Sequence, residues 1–259
     1  MIGLSGSKEL FVIQSLQAAT RERDYSLQSL ASGRRARLAP AELVLATQLQ
    51  TQVDSIEQAI DNVESAENLS QVAQGSLQQA QDNIREARRL AVAAANTGVY
   101  DVEAREALQA QVQAGVQAAE RFMQSAALNN GQFQIGPDPG QAIPAILTDP
   151  ASVTTPLQGI TVLTEQGSYN AMQATDAARV EISRQSARIG SLQADTLRPA
   201  ARSLRIRQEA LMRSHSTIAD TDFARETTRY IQKKILVESG ITVISRAVIA
   251  RQRALATLP

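Results

Sequence analysis

Three groups of side chains in this sequence are of types that can do chemistry. They are the only histidine, His215, the carboxylate pair Asp220 and Asp222, and the arginines of residues 198–213. A histidine acts as a general base only when other groups position it, and His215 falls on or near the apolar repeat of a predicted helix, which favours a packed residue over a catalyst. Asp220 and Asp222 lack the further oxygen ligands that a calcium site needs. We therefore interpret them as caps at the start of the last helix.

The arginine-rich stretch could attract phosphate, but it lacks the interleaved aromatic residues of a nucleic-acid groove. The sequence has no cysteine, no glycine-rich phosphate loop, no zinc-ligand spacing and no nucleophile elbow. Residues 136–170 hold Asp138, Asp149 and Glu165 as their only acids. We predict a protein that is not an enzyme, has no metal or cofactor, and does not bind nucleic acid or insert into a membrane.

The elements around these groups are organised by one long stretch, residues 54–94. Its apolar positions recur at alternating steps of three and four, which is typical of a long helix packed lengthwise on other helices. Most of the repeat is alanine, so the neighbouring helices must approach closely. The predicted seam consists of Ile56, Ala59, Val63, Ala66, Ser70, Ala73, Leu77, Ala80, Ile84, Ala87, Ala91 and Ala94.

Charge is distributed unevenly along the chain, although the net charge is zero. Residues 54–120 contain eleven acidic and four basic residues, whereas residues 179–213 contain eight arginines and three acids. Opposite charge on two helical stretches favours their lying side by side. We therefore expect the basic helix to be the intrachain partner of the long acidic one.

The remaining pattern predicts further helices and a short β excursion. Gly33 ends the first helix, and Arg34, Arg35 and Arg37 form a basic loop that is either solvated or an intersubunit contact. Pro199 should kink or split its helix.

We predict helices over 8–30, from 41 through 94, and over 102–128, 171–218 and 223–255. We also predict a turn at Asn130-Gly131 and strands over 132–135 and 159–163. Two more seams are predicted, one at Leu108, Val112, Gly115, Ala119, Phe122 and Ala126, the other at Val180, Ala187, Ala194, Leu197, Ala201, Leu204, Leu211 and Ile218.

The predicted fold class is mainly α, an elongated antiparallel coiled-coil-like helical bundle with a short β-hairpin or loop excursion in the middle. The expected division has five segments. Residues 1–40 are an N-terminal helix and connecting loop, 41–135 the N-terminal rod helices, 136–170 a short variable region, 171–220 the C-terminal rod helix, and 221–259 a C-terminal helix.

Several motifs resemble bacterial flagellin. Residues 48–53 (Gln-Leu-Gln-Thr-Gln-Val), 71–77 (Gln-Val-Ala-Gln-Gly-Ser-Leu) and 88–96 (Arg-Arg-Leu-Ala-Val-Ala-Ala-Ala-Asn) resemble the conserved N-terminal region of that family. Residues 218–224 and 235–240 resemble its C-terminal motifs Ile-x-Asp-Ala-Asp-Phe/Tyr-Ala and Ile-Leu-Gln-Gln-Ala-Gly. The sequence departs from the family after Gly33, where a shorter run with Pro40 replaces an Asn-Ser-Ala run.

The resemblance implies a secreted structural protein of the bacterial flagellum, a small form without large outer domains, which polymerises into the filament for swimming motility. It further implies export without a cleaved signal through the flagellar type III apparatus, and as partners an export chaperone, the cap and hook-associated proteins. In the family, the terminal helices form the inner tube and are disordered in the monomer. The apolar side chains assigned to this assembly are Leu10, Ile13, Leu16, Leu27, Leu30, Ile231, Ile235, Ile241, Ile244, Val248 and Leu255.

A receptor-binding patch is also implied by the resemblance. Vertebrate flagellin recognition uses an Arg-x-Arg-Glu-Leu-Ala-Val patch in the family. This sequence has Glu86, Arg88, Arg89 and Leu90 within the matching run, so two positions carry the opposite charge. Because charge reversal weakens an interface, we expect weak recognition.

Two other hypotheses remain open from the sequence alone. One is a hook–filament junction-type or minor flagellar structural protein. Pro40 resembles a feature of the hook–filament junction protein, whereas the C-terminal motifs resemble flagellin instead. A cytosolic coiled-coil adaptor would explain the helical seams, although not the motifs at both ends.

Overall fold

The structure, a computed structural model, describes the backbone of residues 3–127, 132–144 and 148–256, and the side chains in these ranges except those of 3–9, 251 and 254–256. The predicted Asn130-Gly131 turn and the Leu255 side chain lie outside the described residues. The elements, in chain order, are α1 (Gly3–Ser32), α2 (Pro40–Ala94), α3 (Val102–Ala126), β1 (Gln132–Gln134), β2 (Ala142–Pro144), α4 (Pro150–Thr154), a 3₁₀ turn (Thr155–Leu157), α5 (Glu165–Ser191), a π-helical segment (Leu192–Leu197), α6 (Arg198–Ala219) and α7 (Phe223–Ala256).

The chain divides into two compact units. The terminal unit comprises Met1–Thr51 and Ala210–Pro259, and the central unit comprises Gln52–Glu209. The predicted fold class is confirmed in that helices dominate and a small two-stranded sheet interrupts them.

The seam predicted on α2 is confirmed. Each of its twelve side chains is at most 2% exposed. The one polar member, Ser70, donates its hydroxyl to the Ala66 carbonyl oxygen at 2.7 Å, which removes the cost of burying an unpaired hydroxyl. Small alanines bring the partner helices close, as the sequence indicated.

The basic α5–α6 stretch is the intrachain partner of α2 in the central unit. As residue numbers rise along α2, those of its polar partners fall, so the two helical stretches are antiparallel. The contacts are Glu64–Arg205 (2.6 Å), Gln74–Gln193 (3.3 Å), Gln81–Ser183 (3.5 Å) and Arg88–Asp176 (2.7 Å). Charge complementarity predicted this pairing, although at Arg88 the signs are reversed.

α3 also packs antiparallel to α2, since Gly115 lies near Ala87 whereas Ser125, further along α3, donates to the Ser76 hydroxyl at 3.2 Å. Asp101 caps it by accepting a hydrogen bond from the Ala104 N–H at 2.8 Å. Its buried face is turned slightly from the predicted one, because Val116 and Met123 are buried where Gly115 and Phe122 were expected. Gly115 instead gives space, since a Cβ there would lie 3.6 Å from the Asn83 carbonyl oxygen.

The predicted seam of the C-terminal rod is wrong over α5 and at Ala194 in the π-helical segment. Val180 is 52% exposed, and Ala187 and Ala194 are also exposed. The buried face instead carries Ala171, Thr175, Ala178, Ile182, Gln185 and Ile189. Thr175 and Gln185 are polar, so the apolar repeat did not reveal this face. Beyond the π-helical segment, the predicted Leu197, Ala201 and Leu204 are buried.

Pro199 does not split its helix. A π-helical segment, Leu192–Leu197, precedes it, and α6 continues after it. Proline has no N–H and its ring crowds the carbonyl four residues earlier. Widening the preceding turn accommodates both effects.

One of the two predicted β-strands is present in the structure, and the other is not. β1 is confirmed and pairs antiparallel with β2, with Phe133 opposite Ile143. The second strand was expected at 159–163, which is wrong. That segment instead binds the side chain of Gln109, which accepts a hydrogen bond from the Val162 N–H at 2.6 Å and donates one to the Ile160 carbonyl oxygen at 3.1 Å.

In the terminal unit, α1 and α7 pack antiparallel. Phe223, at the start of α7, lies near Gly33 at the end of α1, and Leu16 lies near Gly240. Gly33 has a φ of 71°, a left-handed conformation that glycine adopts readily, and it ends α1 as predicted. This places the loop after α1 against the turn between α6 and α7.

Candidate functional site

The polar residues singled out from the sequence have structural roles. Asp222 caps α7 by accepting a hydrogen bond from the Arg225 N–H at 3.2 Å, and Asp220 accepts one from the Ser216 hydroxyl at 2.5 Å. His215 is half-buried in α6. Among the described residues, no three His, Cys, Asp or Glu side chains group together as metal ligands would. The same residues include no helix whose length and apolar content would suit a membrane span.

The terminal unit exposes many large apolar side chains. On α1, Leu10, Ile13 and Leu27 are exposed, while Leu16 and Leu30 are half-buried. On α7, the exposed side chains of the predicted set are Ile231, Ile235, Ile241 and Val248, and Ile244 is half-buried. Six more exposed large hydrophobic residues of the described parts of α1 and α7 were not in that set, namely Phe11, Tyr25, Phe223, Leu236, Val243 and Ile249. Exposed apolar surface in this amount indicates an interaction surface.

The contact between α1 and α7 uses few of these large side chains. Its buried positions are mainly small ones, namely Ala19, Ser26 and Ser29 on α1 and Val237 on α7. Small residues at helical spacing in α1 were a sequence signal for this contact. The larger apolar residues therefore remain available for other partners.

The basic loop after α1 is bound to the α6–α7 turn and is not simply solvated. Arg35 donates through its guanidinium to the carbonyl oxygens of Thr217 (3.1 Å) and Asp220 (3.2 Å). Its backbone N–H binds the Ala219 carbonyl oxygen at 2.8 Å, and the Thr221 N–H binds the Gly33 carbonyl oxygen at 2.9 Å. These bonds fix the start of α7 against the end of α1.

The run containing Glu86, Arg88, Arg89 and Leu90 lies on α2 in the central unit. Arg89 pairs with Glu86 at 2.5 Å, and this hydrogen bond lowers the pKa of the Glu86 carboxyl. Leu90 is buried. The surface of this run therefore presents mainly the Glu86–Arg89 pair.

Arg88 of the same run contacts α5. It donates a hydrogen bond of 2.7 Å to Asp176, which Arg179 also contacts at 3.3 Å. The hydrogen bond from Arg88 is the largest cause that lowers the pKa of the Asp176 carboxyl. Arg88 is thus already engaged within the chain.

Two family models match this chain. The bacterial flagellin N-terminal helical region matches residues 9–133, and the bacterial flagellin C-terminal helical region matches residues 172–258. The matched ranges include α2 and α3 in the first case and α6 and α7 in the second.

Individual relatives carry related names. The chain is 37% identical over 95 residues to polar flagellin C of Vibrio parahaemolyticus, which covers 37% of this chain and 24% of that protein. It is 26% identical over 245 residues to flagellin FlaB2 of Treponema pallidum, covering 83% and 84%. It is also 26% identical over 265 residues to the flagellar filament 33 kDa core protein of Treponema phagedenis, covering 90% and 91%. The match thus spans about a quarter of the Vibrio protein and most of the two Treponema proteins.

Proposed function

Because this chain belongs to the bacterial flagellin family, we propose that it is a structural subunit of the flagellar filament and polymerises with copies of itself. The observation that carries the proposal is the apolar surface left exposed on α1 and α7, which includes Leu10, Ile235 and Ile241. Neighbouring subunits would bury these side chains, and burial of apolar area is the main driving force of association.

Folding of the terminal unit would be coupled to assembly. A pair of helices whose fully buried side chains are mainly small ones, with Val237 as the larger exception, buries too little apolar surface to offset the entropy of ordering the pair alone. Order would then come with the additional contacts of the filament. In this account residues 1–40 and 221–259 form the inner tube, residues 41–135 and 171–220 are the rods, and residues 136–170 are the variable region.

The remaining proposals follow from family membership. The chain is exported through the flagellar type III apparatus without a cleaved signal, and it meets an export chaperone, the cap and hook-associated proteins. It acts as a structural protein and not as an enzyme. Its surface at Glu86 and Arg89 is a poor match for the vertebrate receptor.

Polymerisation of the purified full chain tests this function. We expect long filaments by electron microscopy after seeding with filament fragments, and no filaments from the Ile235→Ser/Ile241→Ser variant. Both side chains are more than half exposed, so the substitutions leave the chain's own packing largely intact. The matched control, Val72→Ser/Val102→Ser, removes two similarly exposed apolar residues from the central unit. If both double variants assembled like the wild type, the proposed surface would be wrong.

The same assay separates the runner-up, a hook–filament junction-type or minor flagellar protein. Such a protein is present in few copies and would not elongate into long filaments by itself. Growth of micrometre-long filaments from the pure chain favours a filament subunit, while short oligomers favour the alternative.

A further inference from the structure

A polar cavity lies within the terminal unit, between α1, the loop after it and the start of α7. Its volume is about 360 Å³. Arg35, Arg37, Arg225 and Arg229 line it together with Thr221. None of the apolar side chains assigned to assembly lines this cavity.

Thr221 is the lining residue whose side-chain hydroxyl is left without a hydrogen-bond partner by the described residues. The residue is 9% exposed, and its hydroxyl oxygen is buried without a hydrogen-bond partner among the described residues. A buried hydroxyl without a hydrogen-bond partner destabilises the folded state. A ligand that accepts a hydrogen bond from this hydroxyl would remove that destabilisation.

The charged side chains that line the cavity determine whether it favours an anion or a cation. Four arginines face three carboxylates, Glu22, Asp222 and Glu226. Arg225 and Arg229 lie 3.8 Å and 3.3 Å from Asp222 and Glu226 respectively, so these four charges are largely balanced.

Arg35 and Arg37, the two loop arginines that line the cavity, are not balanced by carboxylates in the same way. Arg35 binds carbonyl oxygens, which are neutral. Arg37 lies 5.8 Å from the centre of the Tyr25 ring, and it forms no ion pair among the described residues. An arginine fork suits carboxylate and phosphate oxygens, which can accept two of its N–H groups at once. Asp222 and Glu226 are paired with the arginines of α7. Glu22 is therefore the one remaining carboxylate of the lining that can balance Arg35 and Arg37.

We propose that this cavity binds an oxyanion group through Arg37, Arg35 and the Thr221 hydroxyl. The position at the start of α7 contributes as well, because the helix dipole favours negative charge there. The oxyanion is either free inorganic phosphate or the side-chain carboxylate of a neighbouring copy. Either would lock the loop after α1 onto α7.

The proposal rests on the proposed function, because we expect the terminal unit, and with it the cavity, to be ordered in filaments. The experiment therefore uses filaments of the full chain and follows their thermal dissociation by light scattering. Midpoints are compared in sodium chloride and in sodium phosphate at equal ionic strength. The variants are Arg37→Gln and Thr221→Val, with Arg34→Gln as control because it removes the same charge from the same loop but does not line the cavity.

If the ligand is free phosphate, wild-type and Arg34→Gln filaments gain about 4 °C at a phosphate concentration tenfold above the dissociation constant, in addition to any general salt effect. Arg37→Gln and Thr221→Val filaments lack this gain. If the ligand is a neighbour's carboxylate, both cavity variants dissociate at lower temperature than Arg34→Gln in both salts.

Midpoints of both cavity variants equal to that of Arg34→Gln in both salts would overturn the proposal. So would a higher midpoint in sodium phosphate for Thr221→Val than for the wild type, because that is the effect of removing a hydroxyl that stays unpaired even when phosphate is present. Thr221→Ser keeps the hydroxyl and should behave as the wild type, which separates loss of binding from misfolding. If the wild type forms no filaments, the proposed function fails, and the same variants are compared by thermal unfolding of the unassembled chain.

Discussion

Leu16 of α1 and Gly240 of α7 touch so closely that a Cβ on Gly240 would lie 3.0 Å from Leu16 Cδ1. A helix-interior glycine costs about 1 kcal/mol relative to alanine, so its use here has a packing reason. The glycine lets α7 approach α1 at the level of Leu16. This contact holds the two helices in the arrangement that presents their remaining apolar side chains outward.

Replacing Gly240 by valine should weaken filaments. The larger side chain must displace Leu16, and overpacking of this kind costs about 1–3 kcal/mol. Gly190→Val is the matched control, because Gly190 is also within a helix and a Cβ there meets no atom within 4 Å. We expect the critical concentration for assembly to rise at least fivefold for Gly240→Val and to stay near the wild-type value for Gly190→Val. Equal critical concentrations for the two variants would show that the Leu16 contact is unimportant.

The central unit should lose stability in acid through Asp176. Its folded-state pKa is lowered by Arg88, so the ion pair contributes stability above the unfolded pKa of about 4. That contribution is lost as the pH falls through the lower folded pKa. Because both side chains of the pair are exposed by more than a third, solvent screens the interaction and its contribution to the free energy of unfolding is small.

Thermal unfolding of Asp176→Asn at pH 7 and below pH 3 checks this prediction. We expect the variant to unfold below the wild type at pH 7 and to match it in acid. Asp61→Asn serves as the control, because Asp61 is exposed on α2 and forms no ion pair in the described part of the chain. A pH-independent difference for Asp176→Asn would point to packing instead of charge.

The buried face of α2 could be predicted from the sequence because its seam, from Ile56 to Ala94, consists of apolar residues except for Ser70. It failed on α5 because Thr175 and Gln185 are polar and yet buried. Gln185 is buried because its side-chain amide donates to the Asp149 carbonyl oxygen and the Ser152 hydroxyl, both at 2.9 Å. Such partners come from a distant segment, so periodicity within α5 cannot reveal them.

The second strand failed for a similar reason. The segment favours β structure because of Ile160, Thr161 and Val162. However, the Ile160 carbonyl oxygen and the Val162 N–H are hydrogen-bonded to the side chain of Gln109 and not to a neighbouring strand. In the terminal unit, most apolar positions of α1 and α7 were named from the sequence alone. The cavity at Thr221 was not, since it depends on how the loop after α1 meets the start of α7.

Host recognition gives a prediction for the run on α2. We expect the wild-type chain to stimulate vertebrate receptor reporter cells weakly, because Glu86 and Arg89 oppose the charges of the family patch. The variant Glu86→Arg/Arg89→Glu restores those charges and keeps an ion pair between the two positions. It should stimulate at least tenfold more strongly at equal protein concentration. Stimulation by the wild type at the level of a typical flagellin would contradict the prediction.

The most direct test of the account is removal of residues 223–259, which contain α7. The central unit has its own buried core, from Leu77 and Ile84 on α2 to Met123 on α3 and Ile182 on α5. We therefore predict that the truncated chain, residues 1–222, is soluble, strongly helical by circular dichroism and monomeric by sedimentation, and that it forms no filaments when seeded. Filaments growing from the truncated chain would contradict the central claim that α7 and its exposed apolar side chains drive assembly.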